Sequence, residues 1–117
     1  LNEQLEALDW EETTGTWEFM IESVQRFEKD VLEVGNRLIS SHRLPQGHMP
    51  FTYGPDLMAG AGAGMRTCHE NFIPTDVLDK ERVGIHVLLR NSRGANNAQQ
   101  GLKMYTEHGL STRYLSL

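Results

Sequence analysis

A single cysteine, Cys68, among 117 residues excludes a disulfide framework within the chain and the cysteine-rich zinc sites. Basic residues are also in deficit, 11 Lys and Arg against 16 Asp and Glu, for a net charge of −5. A general nucleic-acid binder carries the opposite excess, so nucleic acid is not expected as a partner. No apolar run approaches the roughly 18 residues needed to span a bilayer, and the N-terminal stretch does not read as a secretory signal. The expectation is a soluble, cytoplasmic protein without membrane association. At about 100–150 residues per domain, residues 1–117 make one domain, able to bury roughly two-thirds of its unfolded surface. With 38% hydrophobic and 23% charged residues, it falls with globular chains and not disordered ones.

The strongest periodic signal runs from Trp17 through Met20, Val24, Phe27, Val31 and Val34 to Leu38. This alternating 3-4 spacing places seven apolar side chains on one helical stripe and predicts a long helix over 17–41. Thr16 is a natural N-cap, Glu18 suits the positive end of the helix dipole, and Pro45 ends the element. The stripe mixes Trp, Phe and Met with Val and Leu, which favours a face packed on a sheet over a coiled-coil seam.

Residues 43–64 are different, with three prolines and five glycines in 22 residues. That composition predicts a long insertion loop. Two strands follow, over 65–73 and 82–90. In the second, Val83, Ile85, Val87 and Leu89 alternate with the intervening residues. Joined through 74–81, they read as an antiparallel hairpin that sets Cys68 opposite Val87 and His69 opposite His86. A second helix over 95–108 stops at Gly109, and the apolar tail 110–117 reads as a strand completing a βαβ unit. Residues 1–10 have both helical and strand patterning.

If residues 4–10 form a strand, the order becomes strand, helix, strand, strand, helix, strand. That is a ferredoxin-like split βαβ sheet, of α+β class, with two helices on one face and the 43–64 loop inserted. On this element order the chain resembles the dimeric ferredoxin-like α/β-barrel proteins. The resemblance implies a homodimer with a small-molecule cavity between sheet and loop.

Candidate chemistry is sparse. His69 and His86, read as a cross-strand pair, are the candidate catalytic groups for acid/base work. Glu70 is expected on the opposite strand face. His48, Phe51, Tyr53 and Met58 on the 43–64 segment are the candidate ligand contacts. No HExxH or HxE…CxxC spacing occurs, so neither a metal nor another cofactor is assigned; a metal at the His69/His86 pair would need His48 or another chain as third donor. Cys68 reads as a small core side chain. Arg66, Lys80, Arg82, Arg90, Arg93 and Arg113 all lie in the second half, suited to an anion or to solvent. The functional expectation is a homodimer binding a small molecule between sheet and loop 43–64, with enzyme status open. The alternative is an assembly protein using the long helix and sheet face for subunit contacts.

Overall fold

The computed structural model describes residues 6–15 and 18–117. The elements in chain order are β1 (Phe19–Met20), α1 (Ile21–Gln25), α2 (Lys29–Ser40), β2 (Gln46–His48), α3 (Gly54–Gly62), β3 (Thr67–Cys68), α4 (Pro74–Arg82), β4 (His86–Leu88), α5 (Ala98–Gly101), α6 (Lys103–Thr106) and β5 (Leu115–Ser116). The strands form one sheet in the order β1-β2-β3-β4-β5, and every neighbouring pair is parallel. Helices and strands are mixed as expected, but this parallel sheet is unlike the antiparallel ferredoxin-like one.

Helix α4 is the reason. Parallel neighbours need a crossover, and residues 74–82 provide it where a hairpin connection was expected. Pro74 stands at the first helical position, where its missing N–H costs nothing. The Asp76 carboxylate accepts hydrogen bonds from the N–H groups of Phe72 (2.9 Å) and Ile73 (3.3 Å), satisfying donors at the helix start. The pairing Cys68↔Val87 is common to the antiparallel expectation and the parallel sheet, but Thr67, not His69, pairs with His86.

The expected long helix over 17–41 contains strand β1 at Phe19–Met20 followed by two helices, α1 and α2. Its proposed start at Thr16 and Trp17 lies outside the described residues. Phe27 takes φ +54 between α1 and α2, which rotates the following turn, so Phe27 is 78% exposed while Val24, Val34 and Leu38 are buried. Segment 43–64 is likewise not a loop: it carries β2 and α3. Gly60 serves packing, since a Cβ there would stand 3.0 Å from both Ile21 Cδ1 and Met49 Sδ. The predicted helix over 95–108 is divided into α5 and α6. Leu110 N–H bonds Met104 O across Gly109, which takes φ +68 as expected of a helix stop. The tail forms β5, parallel to β4, as the βαβ reading anticipates.

Two buried clusters flank the sheet. Met49, Met65, Cys68 and Ile85 pack with residues of α1–α3, and Val87 and Leu89 pack with Val77, Ala98 and Met104. Cys68 is fully buried, as expected of a core side chain. No helix among the described residues is long and apolar enough to cross a membrane.

Candidate functional site

Ligand sites in parallel sheets form beyond the carboxyl ends of the strands, and the polar residues of this chain gather there. His48 closes β2, His69 directly follows β3, and Arg90 lies two residues beyond β4. Gly47 permits the close approach of β2 and β3, because a Cβ there would stand 2.8 Å from Thr67 O. Glu18 comes from the β1 side. It directly precedes Phe19, which pairs with Gly47 of β2.

Three donors converge. Glu18 Oε1 is 3.0 Å from His69 Nε2, Glu18 Oε2 is 3.6 Å from His48 Nδ1, and the two histidine nitrogens are 3.4 Å apart. All the ligand atoms of this trio lie within 4.8 Å of one another. Glu70 adds a nearly buried carboxylate, its Oε1 3.6 Å from His69 Nε2 and 4.0 Å from His48 Nδ1. The expectation that Glu70 faces away assumes strand alternation, but β3 ends at Cys68 and the alternation does not extend to Glu70. Arg90 pairs with Glu70 Oε1 and balances its charge. Burial is the largest influence on His69 and lowers its pKa below the usual 6.5; Glu18 opposes that, Arg90 lowers it further, Glu70 raises it, and His48 lowers it. A neutral imidazole is the form that binds metal.

A second set of side chains holds these groups in place. Asn71, fully buried, donates to Cys68 O (2.9 Å) and Leu88 O (3.1 Å), tying together the ends of β3 and β4. Lys80, also fully buried, donates to Glu70 O and to Asn71 Oδ1. Asn97 accepts from Arg90 N–H (2.7 Å) and donates to His69 O (3.0 Å). The bonds to His69 O, Glu70 O and Arg90 N–H fix backbone that carries members of the cluster, and the others brace the side chains and strand ends behind them, as a preorganised metal site requires.

The sequence-derived candidates separate in space. His48 and His69 come together, and His86 does not join them. His86 opens β4, with Nε2 2.9 Å from Ser116 Oγ and its ring edge-on to Tyr114, toward the other end of the sheet. The expected His69/His86 pair is therefore corrected by the parallel register. Phe51 stacks on Phe72 at 4.9 Å, and both are exposed. Tyr53 donates to Asp76 Oδ1 at 2.5 Å, which fastens the chain after β2 to the start of α4. Met58 is exposed on α3. Glu18, Glu70 and Asn71 are not among the sequence-derived site candidates, and Lys80 and Arg90 figure there only as cations suited to an anion or to solvent. A cluster drawn from separate strands has no local spacing motif, and the pairing open to sequence reasoning, His69 with His86, is not the one the sheet makes. The available signal was a histidine at the end of each of two short strands, in Gly47-His48 and His69-Glu70.

No family model matches the chain. It is similar to adenine deaminase 4 of Rhizobium meliloti (strain 1021), at 35% identity over 105 residues covering 86% of this chain and 17% of that protein. It is also similar to adenine deaminase 1 of Desulfotalea psychrophila, at 32% identity across 87% of this chain and 17% of that protein. The adenine deaminase of Staphylothermus marinus shares 33% identity across 97% of this chain and 19% of that protein. The chain thus spans 17–19% of the length of these three relatives, all of which bear the name adenine deaminase.

Proposed function

We propose that the chain carries part of a metal-assisted hydrolytic deaminase site, with an aminated purine such as adenine as substrate. The observation that supports this most is the convergence of Glu18, His48 and His69. One carboxylate and two imidazoles are the donor set of a catalytic zinc-type centre that keeps a position open. A divalent cation bound there would supply Lewis acidity and a water of lowered pKa. The names of the relatives point to the substrate.

In this reading the chain's own residues orient and desolvate. Asn97 and Asn71 hold His69 and the β3 end, and the Arg90–Glu70 pair sets a neutral wall beside the histidines. Phe51 and Phe72 lie on the segments that follow β2 and β3 and offer a flat apolar border for a planar ring. The small molecule expected between sheet and segment 43–64 would then lie at the strand ends, against His48 and Phe51. Hydrolytic deamination forms a bond from water oxygen to the ring carbon and breaks the bond to the amino nitrogen, which leaves as ammonia. A sheet whose strands follow chain order, all parallel, has the arrangement of a β/α-barrel wall, and in a longer protein the remaining donors come from other strands.

The test is ammonia release from adenine by the natural protein that carries this chain, against its Glu18→Gln and His69→Ala variants. The reading expects a fall of at least about 100-fold, the scale of removing a group that activates the nucleophile. Unchanged release in both variants would overturn it.

A further inference from the structure

The opposite end of the sheet holds a second concave site. A cavity of about 380 Å³ opens beside the residues that precede β2, β3, β4 and β5, lined by His42, Arg43, Arg66, His86, Tyr114 and the apolar Ile39 among others. No carboxylate lines it. Among the described residues Arg26, Arg37, Arg82 and Arg90 have acidic partners, whereas Arg43 and Arg66, like Arg93 and Arg113 outside the cavity, have none. In a chain with an excess of five acidic charges, two arginines without an acidic partner among the described residues line one cavity.

Both arginines are held. Arg43 Nη2 donates to Trp10 O at 3.0 Å, and Arg66 Nη1 donates to Ala61 O at 2.9 Å and Met65 O at 3.3 Å. Neutral carbonyls restrain these side chains without cancelling their charge, which lowers the ordering cost of binding an anion. The end of α2 would ordinarily repel an anion, but the N–H groups of Ser41, His42 and Arg43 cover its last carbonyls. Arg113, which does not line the cavity, sits 5.5 Å over the ring of Tyr114, which does. Ile39 and the Tyr114 ring supply an apolar wall.

We infer that this cavity is an anion-binding site for a phosphorylated small molecule with an apolar or aromatic body, the phosphate held by Arg43 and Arg66 and the body against Ile39 and Tyr114. Guanidinium forks match phosphate oxygens, and the volume lies within the range of small-molecule pockets. The site is independent of the Glu18, His48 and His69 cluster.

Isothermal titration calorimetry of the chain with phenyl phosphate and with inorganic phosphate, at one ionic strength, tests it. Phenyl phosphate is expected to bind with a dissociation constant below about 1 mM, and inorganic phosphate at least about fivefold more weakly. Arg66→Glu should weaken phenyl phosphate binding at least about tenfold. Arg43→Gln, which changes less charge, should weaken it in the same direction if Arg66→Glu proves unstable. Arg93→Glu, an equal charge change on an exposed arginine outside the cavity, should leave it unaltered. Absence of phenyl phosphate binding up to about 10 mM, equal affinity for the two ligands, or equal losses in Arg66→Glu and Arg93→Glu would overturn the assignment.

Discussion

His48 Nδ1 and His69 Nε2 face each other at 3.4 Å, with a carboxylate oxygen of Glu18 within 3.6 Å of each nitrogen. Two imidazoles in that geometry share one proton or direct their lone pairs at one cation. The Glu18 carboxylate favours a cation between them, and burial, the largest influence on His69, lowers its pKa, favouring the neutral ring that a metal ion requires.

The approach of β2 to β3 depends on Gly47. A Cβ there would stand 2.8 Å from Thr67 O and 3.1 Å from Met65 Cβ. Gly47→Ala is expected to cost about 1–3 kcal/mol in denaturant unfolding and to weaken divalent-metal binding, because His48 is carried outward with its strand. Intact metal affinity in a folded Gly47→Ala protein would show that the β2–β3 spacing does not set the centre.

Lys80 is fully buried, and its ammonium serves two acceptors, Glu70 O and Asn71 Oδ1. Lys80→Met keeps most of the volume but leaves both acceptors bare, a loss of about 1–3 kcal/mol. Urea denaturation should report it as a lower midpoint at unchanged slope.

Phe27 and Leu38 fall on the same predicted stripe and separate in the structure. Leu38→Ala should cost about 2–5 kcal/mol, as for a buried leucine, since Leu38 is fully buried. Phe27→Gly should be neutral or stabilising by up to about 1 kcal/mol, because Phe27 is exposed and holds φ +54. Thermal unfolding of the two variants distinguishes this break from a continuous helix, in which both would be destabilising.

That contrast shows what sequence patterning could and could not reveal. Burial at Val24, Val34 and Leu38, the Gly109 stop and the parallel β4–β5 unit follow from local periodicity and turn chemistry. The break at Phe27 carries no glycine or proline to mark it. Helix α4 has its signal in Pro74 and Asp76, but a proline directly after the expected strand 65–73 fits the end of a strand as readily as the first residue of a helix. That one substitution of hairpin for crossover reverses a strand, and with it the partner of His69. His48 and His69 were legible as candidates, because histidines beside short strands and loops stand out. Glu18 was not, because a glutamate in a helical first turn needs no further explanation.

Tyr53 donates to Asp76, and this bond, with burial and the nearby Asp76 and Asp79 charges, pushes its pKa from 10.0 up to about 12. The folded chain therefore keeps a proton that the unfolded chain releases between those values, so stability falls as pH rises. The contribution of Tyr53 is complete below about pH 10 and is lost as pH rises through about 12. Tyr53→Phe should reduce the alkaline loss of stability, measured as the change in denaturation midpoint from pH 9 to pH 12. An identical alkaline profile in both proteins would remove Tyr53 from the account.

The metal content of the chain after equilibration with zinc and dialysis bears most directly on the centre formed by Glu18, His48 and His69. The account predicts about one equivalent bound per chain, lost in His48→Ala and in His69→Ala and retained in His86→Ala. No bound metal in the folded native chain, or metal retained after loss of both His48 and His69, would contradict it.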